Sequence, residues 1–489
     1  MKKKVVSILL AFLTVMCVFA AVSCENPGEP SESDSKGSES VSGEGNTVLE
    51  SDIKILPKID YEGYTFVMTY RDLQNMVRDM SFDREATDQL EVAKYNRAQK
   101  VMEYYDIVLE PYVISGDWAG MMALDSVAAG DSDYDIIMPH SHIAWGTYII
   151  EGYALEWTEN MKYNYLDQEW WDQGAAECLS IGNKIYTMMG DNSWMLLGDT
   201  VGIVFNKKIL SDNSIEYPYQ DVLDKTWTFD KFYQIASQTK YDLDGDGRID
   251  FGTDRMGYET TIYGGTVGFL WTCGSRTIGK DSEDMPYIAL NNERTVDLFT
   301  KFFDMMNQDG FKIMTDQANF DKSCADFIED KVVMIDTYIM NLELLRDKSD
   351  WGVVPYPMFD EQVGEYNSTA DAGIHSIIVP YNAPNVDRTS MILEALTIEG
   401  HNEVIPAFYE TTLQIKYTDD DISKQMLDII RGSRVFDLAY FTGRAGNFNL
   451  PGFHLCQAGG DFASFYQANL EAAQESLDEL VSSVITKNG

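Results

Sequence analysis

The stretch YTFVMTY at residues 64–70 has the composition of a β-strand and begins an alternation of strands and helices. Spaced apolar positions in the polar segment 83–105 predict a helix, and DIVLEPY at 106–112 predicts a second strand. A helix over 118–129 and a short buried strand at 134–138 (YDIIM) continue the pattern. This βαβαβ order predicts a parallel sheet with helices on its faces, so the fold class is α/β.

The loop after the third strand is a candidate ligand-binding segment. In parallel sheets, ligands bind beyond the carboxyl ends of the strands. The residues placed there are Pro139, His140, Ser141, His142 and Trp145.

A second series of strands and helices predicts a second lobe that begins near residue 200. Predicted strands occupy 184–189, 201–206, 332–335, 351–355 and 376–379. Predicted helices occupy 230–239, with Thr228 as its N-cap, and 293–308, ended by Gly310. The polar residues 190–194 form a joint of the kind that links two lobes, and the end of the chain is mainly helical.

The charge of the chain excludes one class of partner. With 37 Lys and Arg against 79 Asp and Glu among 489 residues, the formal net charge is −42. Such a surface repels the phosphates of nucleic acids, so we expect no nucleic-acid partner. Aromatic residues make up 12% of the chain, which predicts large cores or flat-faced binding surfaces.

The N-terminus has the pattern of an export signal. Residues 1–23 contain Lys2, Lys3 and Lys4, then an apolar run, then small residues ahead of Cys24. The sequence AVSC at 21–24 resembles the lipobox of bacterial lipoproteins, in which the signal is cut before a cysteine whose thiol carries a lipid. An uncleaved anchor helix is the alternative.

The segment 24–52 is rich in Glu, Ser, Gly and Pro and predicts a disordered tether. Signal, cysteine and tether together predict an extracytoplasmic protein that is lipid-anchored to the outer face of the bacterial cytoplasmic membrane. The cysteines that remain after processing are Cys178, Cys273, Cys324 and Cys456. They could form up to two disulfides in three connectivities, or they could be isolated buried thiols.

An acidic loop at 242–250 (DLDGDGRID) matches the D-x-D-x-D-G spacing of a calcium-binding EF-hand loop. Position twelve is Thr253 rather than the usual bidentate glutamate, which predicts weak affinity suited to calcium-rich extracellular fluid. The predicted ligand residues are Asp242, Asp244, Asp246, Arg248 through its carbonyl, Asp250 and Asp254. A solvated acidic turn is the alternative.

Several short motifs, taken in order, resemble the extracellular solute-binding proteins of family 1, which serve ABC importers and mostly bind sugars and oligosaccharides. Besides the lipobox, tether and YDIIM strand, they are GNKIY at 182–186, VGIVFNK at 201–207, WTF at 227–229, KVVM at 331–334, DTY at 336–338, WGVVP at 351–355 and AGI at 372–374. Some sugar-binding members of this family carry a similar acidic loop, which implies a structural role for the calcium site.

The resemblance implies a two-lobed periplasmic-binding-protein-like fold of type II, with a ligand cleft between lobes that are joined by hinge crossovers. The crossovers are expected at 191–199, 371–376 and 417–423. Lobe I is expected to comprise 53–190 and 371–422, and lobe II 191–370 and 423–489.

A sugar site needs aromatic rings for the faces of the sugar and polar side chains for its hydroxyls. By family position the expected aromatic contacts are Phe205, Tyr338, Trp145, Trp194 and Trp271. The expected polar partners are Asp191, Asn192, Asp336 and His142. Core packing is the alternative for each of these aromatic residues, and it is the role predicted for the pair Trp170 and Trp171.

The function these observations predict is capture of a sugar or oligosaccharide and its delivery to an ABC permease by a monomeric, non-enzymatic protein. Two alternatives remain open. A lipid-anchored glycoside hydrolase needs only two suitably spaced carboxylates, although the chain lacks the GxSxG, HExxH and P-loop motifs of other enzymes. A calcium-dependent surface adhesion protein would account for the tether and the acidic loop, but adhesion modules are commonly β-sandwiches.

Overall fold

The computed structural model describes residues 52–315, 320–414 and 421–487. The predicted signal, tether and Cys24, and most of the third crossover, lie outside these residues. The strands are β1 Tyr64–Tyr70, β2 Ile107–Val113, β3 Ile136–Met138, β4 Val201–Asn206, β5 Met256–Thr261, β6 Ile278–Lys280, β7 Pro286–Ile288, β8 Phe311–Met314, β9 Val332–Tyr338, β10 Trp351–Val354, β11 Ser368–Thr369 and β12 Arg434–Val435.

The α-helices are α1 Gln74–Met80, α2 Gln89–Tyr105, α3 Leu124–Ala129, α4 Ser141–Ile143, α5 Trp157–Asn160, α6 Gln173–Leu179, α7 Met195–Gly198, α8 Lys207–Asp212, α9 Tyr219–Leu223, α10 Phe229–Thr239, α11 Gly265–Gly268, α12 Glu293–Met306, α13 Asp321–Ile328, α14 Val386–Glu399, α15 Ile405–Gln414, α16 Asp421–Gly432, α17 Leu438–Thr442, α18 Pro451–Gln457 and α19 Phe462–Lys487. Short 3₁₀ segments occupy Ile53–Ile55, Leu270–Cys273, Ile339–Leu345 and Gly446–Asn449, and π-helical turns occupy Ala144–Ile149 and Gly400–Val404.

The first lobe is built on a parallel sheet of three strands in the order β2-β1-β3, as the βαβαβ pattern predicts. Its core combines β1 and β3 with α14, a helix that lies far along the chain and buries every residue from Thr389 to Glu399. Trp170 and Trp171 are buried in this core, and both indole N–H groups donate to the carboxylate of Glu394, at 2.6 and 2.9 Å. The prediction that this pair packs internally is confirmed.

The second lobe is built on a sheet of five strands in the order β10-β4-β9-β5-β8. β5 pairs in parallel with β8 and β9, whereas β4 pairs antiparallel with β9 and β10. Every residue of β4 is buried, because helices and loops cover both faces of the sheet. Thr228 caps α10, as predicted, by accepting a hydrogen bond from the amide of Lys231.

Two connections between the lobes lie side by side. An isolated bridge joins Thr200 to Ala370, and the short strands β11 and β12 pair next to it. The predicted strands 184–189 and 376–379 are wrong as regular strands. They contribute isolated bridges such as Met188 to Ile377 and Ile137 to Ile378, because β3, the strand they run beside, is only three residues long.

Two predicted helices begin later than their sequence patterns suggest. Asp88 caps α2, so the helix starts at Gln89 rather than near residue 83. The helix predicted over 118–129 is confined to α3, because the Asp117 carboxylate binds the backbone of the residues that follow it and holds them in a tight loop.

The end of the chain is helical, as predicted. The longest helix, α19, buries Ala473, Leu477 and Leu480 in a core that also contains Trp145 and Trp271. Within the described residues, no helix has both the length and the apolar character needed to cross a bilayer. Cys178, Cys273, Cys324 and Cys456 are free thiols in the structure.

Candidate ligand site between the lobes

Polar and aromatic side chains meet where strands of both lobes end and where the chain crosses between them. Arg71 follows β1, His140 and His142 follow β3, and Tyr338 is the last residue of β9. We call this group the interlobe cluster; its members are Arg71, His140, His142, Asp199, Tyr338, Asp371 and Tyr440. Its position agrees with the expectation that ligands bind beyond the carboxyl ends of strands.

Asp371 joins two aromatic rings in the interlobe cluster. Its Oδ2 accepts hydrogen bonds from the hydroxyls of Tyr338, at 2.9 Å, and of Tyr440, at 3.0 Å. Its Oδ1 accepts from the amide of Gly373 at 2.5 Å. Phe320 packs edge-on against the ring of Tyr338, with 4.8 Å between centroids. These contacts hold both tyrosine rings in fixed positions at the junction of the lobes.

Arg71 brings a buried positive charge to the same place. Its Nε donates to the Trp118 carbonyl at 2.9 Å, and its Nη1 donates to the Gly373 carbonyl. The guanidinium also faces the carboxylates of Asp199 and Asp371. Burial and the neighbouring Asp371 raise the pKa of Asp199 well above its usual value, although Arg71 opposes this.

One oxygen of Asp199 is buried without a hydrogen-bond partner. This side chain is 5% exposed, and its Oδ1 has no hydrogen-bond partner among the described residues. A buried polar atom without a partner is costly, so a ligand hydroxyl that binds it would relieve the cost.

The two histidines of the interlobe cluster act as hydrogen-bonding groups rather than as charges. Their rings lie 4.8 Å apart, and His142 Nε2 is 2.7 Å from the carbonyl oxygen of Tyr440. Burial and the nearby Arg71 lower the pKa of His140 to about 3, and burial also lowers the pKa of His142. Both rings are therefore neutral near pH 7, and the cluster offers ring faces, donors and acceptors to a polar ligand.

Of the nine residues predicted to contact a ligand, Tyr338 and His142 lie in the interlobe cluster. The other four aromatic residues are at most 1% exposed and pack in protein cores, which corrects their predicted position at the cleft. Phe205 lies in β4, where both faces of the sheet are covered, and Trp194 stacks on Phe408 with 5.1 Å between ring centroids. Trp145 and Trp271 share a core with α19.

The other three predicted polar residues have partners inside the protein. Asp191 Oδ2 lies 2.7 Å from both His401 Nδ1 and Arg431 Nη2. The main-chain carbonyl of Asn192 accepts from Arg97 at 2.5 Å, whereas its side-chain Oδ1 is buried without a partner among the described residues. Asp336 accepts from the hydroxyls of Tyr356, at 2.6 Å, and Thr260, at 3.0 Å. None of these contacts is made with a member of the interlobe cluster, although Oδ1 of Asp336 also has no partner among the described residues.

The sequence reasoning did not name Arg71, Asp199, Asp371 or Tyr440 as site residues. Arg71 immediately follows a predicted strand, and Asp199 and Asp371 stand at the ends of the predicted crossovers. These sequence positions could have indicated that the three residues lie at the site. Tyr440 lies in a C-terminal segment without a recognisable motif.

The acidic loop brings three carboxylates together. One oxygen from each of Asp242, Asp244 and Asp246 lies within 4.8 Å of the others. The two oxygens of Asp242 accept from the amides of Gly245 and Gly247, at 2.6 and 2.8 Å. Both glycines have positive φ, 78° and 89°, a conformation that other residues adopt at a cost.

Asp254 has a different role from the one predicted. Its oxygens accept from the amides of Leu243, at 2.8 Å, and Asp250, at 2.7 Å, so it ties the two ends of the acidic loop together. Through these contacts Asp254 stabilises the conformation of the loop, and it is not the last member of the carboxylate group.

A groove of about 820 Å³ lies elsewhere, between α6, α9 and the β11–β12 pair. Its walls include Arg276, Lys280 and Arg434, but their donors bind protein groups: Arg434 pairs with Asp172, and Lys280 binds the carbonyls of Glu177 and Ser180. The groove contains no member of the interlobe cluster.

No protein-family model and no curated protein sequence matches the chain. Many solved structures share its fold. The GacH receptor of Streptomyces glaucescens, studied with acarbose, is 11% identical, with 86% of this chain and 96% of that one covered and a TM-score of 0.52. A sugar transporter protein of Rhizobium etli, in an open conformation, is 14% identical, with 87% and 100% covered and a TM-score of 0.55.

The maltose/maltodextrin-binding domain MalE of Bdellovibrio bacteriovorus, bound to maltotriose, is 15% identical, with 86% and 99% covered and a TM-score of 0.50. In each case nearly the whole of the other protein superposes on the body of this chain. The chain therefore has the two-lobed α/β fold of the periplasmic-binding-protein type, and the predicted fold class is confirmed.

Proposed function

We propose that the protein is an extracytoplasmic solute-binding lipoprotein that captures a sugar or oligosaccharide and delivers it to an ABC import permease. The observation that carries the proposal is the interlobe cluster, in which two fixed tyrosine rings stand beside the unpartnered Oδ1 of Asp199. Proteins with the same fold bind acarbose and maltotriose, which supports a carbohydrate ligand.

A sugar would be held from both lobes. Tyr338 of the second lobe offers a ring face to the C–H groups of a sugar, and Arg71 and His140 of the first lobe offer polar groups to its hydroxyls. Since these contacts exist together only when the lobes are close, ligand binding favours the closed arrangement. A monomer suffices for this mechanism, and the permease would recognise the closed form.

The test is thermal unfolding of the purified protein with a panel of mono- and oligosaccharides, with product formation followed in the same samples. A ligand at 100 times its Kd adds about 2.7 kcal/mol to stability. We expect a shift with the sugar left intact, and a smaller shift for Asp199→Asn. Asp199 and Asp371 are two neighbouring carboxyl groups of the kind that a glycoside hydrolase needs. Cleavage of the sugar would therefore establish a hydrolase instead of a binding protein. If no sugar shifts the transition, the carbohydrate assignment fails.

Anchoring by Cys24 is part of the proposal. The supporting observation is the signal and lipobox pattern of residues 1–24. We expect the wild-type protein in the membrane fraction with an acylated N-terminus, and Cys24→Ser in the soluble fraction. Mass spectrometry of the N-terminus checks this, and an unmodified Cys24 would contradict it.

A structural calcium ion in the acidic loop completes the proposal. The convergence of Asp242, Asp244 and Asp246 on one point supports it, because hard cations prefer several oxygen ligands. The carbonyl of Arg248 and the side chain of Asp250 are the further groups that would reach the ion. When bound, calcium would neutralise the carboxylates and make the loop rigid.

A further inference from the structure

Trp118 differs from every other tryptophan of the protein. The chain contains nine, and eight of them are at most 1% exposed. Trp118 is 64% exposed, and its neighbours Met121 and Met122 are 45% and 50% exposed. A large apolar surface in water is an informative exception to normal burial, since it commonly marks a binding surface.

The backbone around Trp118 is held firmly, although its side chain is exposed. The buried Asp117 carboxylate accepts hydrogen bonds from the amides of Gly120, Met121 and Met122, at 2.9, 2.9 and 2.7 Å. Tyr148 donates its hydroxyl proton to the Gly120 carbonyl at 3.0 Å. Gly120 has a φ of 79°, and a Cβ there would lie 2.5 Å from the Cα of Pro139, so only glycine fits. We call residues 117–122 the tryptophan loop.

The tryptophan loop forms the rim of the interlobe cluster on the first lobe. Arg71, a member of the cluster, donates to the Trp118 carbonyl at 2.9 Å. The amide of His140, a second member, donates to the Ala119 carbonyl at 3.0 Å. The backbone of the tryptophan loop is therefore bonded directly to two site residues, which places the exposed Trp118 at the edge of the site.

We infer that Trp118 is an outer subsite for a sugar ring, and that the protein binds an oligosaccharide long enough to reach from the interlobe cluster to this rim. The inference rests on the proposed function and names its substrate class. A single sugar enclosed beside Tyr338 and Tyr440 would leave the ring of Trp118 without a ligand, whereas a chain that projects from the cleft would lie across it. A rigid aromatic ring suits this role because little conformational entropy is lost when a sugar stacks on it.

Fluorescence quenching tests the inference directly. Acrylamide is uncharged, so the net charge of −42 does not repel it, and Trp118 is the tryptophan it reaches most readily. The probes are glucose and xylose with their malto-, cello- and xylo-oligosaccharides up to the hexasaccharide. We expect oligosaccharides that bind to lower the quenching of Trp118 at least twofold, and bound monosaccharides to leave it unchanged. Trp118→Phe identifies the contribution of this residue.

Calorimetric titration of the same sugars gives the second readout. Trp118→Ala should weaken the binding of the longer oligosaccharides about tenfold and leave monosaccharide affinity unchanged. Trp118→Phe, which keeps a ring, should restore most of the loss. Tyr287→Ala removes another exposed ring, 52% accessible in the β6–β7 hairpin, and should have no effect.

The outcomes separate this inference from the proposed function. If oligosaccharides bind the wild-type protein but Trp118→Ala binds every length equally well, the outer subsite is wrong and the sugar-binding function stands. If Trp118→Ala binds normally but supports less uptake in cells, the ring contacts the permease and the outer subsite is again wrong. If no sugar binds the wild-type protein, the carbohydrate function fails and the subsite fails with it.

Discussion

Tyr338, the last residue of β9 in the second lobe, donates its hydroxyl proton to Asp371, in the segment where the chain returns to the first lobe. A ring that can stack on a ligand is thus bonded to a residue of the crossover. We therefore expect a movement of the lobes to displace the Tyr338 ring through this contact.

Replacement of Tyr338 should separate the effects of its ring and its hydroxyl. Tyr338→Ala removes the stacking face, and we expect sugar affinity to fall at least about tenfold. Tyr338→Phe keeps the face and should lose less. Calorimetric titration measures both, with Tyr366→Phe as the control, because its hydroxyl bonds the Val222 carbonyl outside the interlobe cluster. Equal affinity of Tyr338→Ala and the wild-type protein would remove Tyr338 from the site.

Loss of Arg71 should destabilise the fold as well as the site. Arg71→Met would leave the buried Asp199 without its cationic neighbour and two carbonyls without a donor. A buried polar group that loses its hydrogen-bond partner costs about 1–3 kcal/mol, so we expect a loss of this order in urea unfolding. The double variant Arg71→Met/Asp199→Asn should recover part of it. A single variant as stable as the wild-type protein would show that the charges do not interact.

The buried His375 should make the protein sensitive to acid. Burial and the nearby Arg71 lower its pKa to about 3, against 6.5 for an unperturbed histidine. The unfolded chain therefore binds more protons between these values, and the free energy of unfolding falls as the pH falls from 6.5 towards 3. Each unit of pKa shift corresponds to about 1.4 kcal/mol.

The comparison with His375→Gln isolates this effect, because other groups act in the opposite direction. Asp79, 3.7 Å from His375 Nε2, has a pKa raised to about 6 by burial, so its contribution is lost as the pH rises. Urea unfolding from pH 7.5 to 4 should show a steeper loss for the wild-type protein than for His375→Gln. Parallel curves for the two proteins would mean that His375 takes up no proton on unfolding.

Removal of calcium should lower the melting temperature if the acidic loop binds the ion. We expect a chelator to reduce the Tm of the wild-type protein and to have no effect on Asp244→Asn, because that variant has lost one of the three converging carboxylates. Glu216→Gln, a change at an exposed acidic residue outside the loop, should behave as the wild-type protein does. A wild-type Tm that is indifferent to chelation would indicate a solvated acidic turn.

The sequence predicted the sheets better than the site. Apolar runs such as 64–70 and 201–206 can be buried only as strands, and both strands have the predicted bounds. Phe205 and Trp194 were assigned to the cleft because of their sequence position beside a crossover, but sequence position does not say which side of a sheet or turn faces the core. Both side chains face covered surfaces.

Contacts between distant parts of the chain account for most of what the sequence did not predict. The pattern of residues 118–129 favours a helix, but Asp117 competes for the backbone amides of the first turn. Tyr440 enters the site only because α17 returns to Asp371, which is 69 residues earlier in the chain. Neither contact has a local sequence signature.

The position of α14 has a consequence for how the protein is made. The first lobe begins with β1 but buries its sheet against Met391–Ile398, whereas the sheet of the second lobe uses only residues 201–354. A chain made from its N-terminus therefore has a complete second-lobe sheet before the last part of the first-lobe core has been made. The second-lobe core is also incomplete at that stage, because it needs residues of α15 and α16, which follow α14 in the chain. The strands of both sheets therefore stay partly uncovered until the chain extends to α16, and this interval is when the protein is most open to proteases and to aggregation.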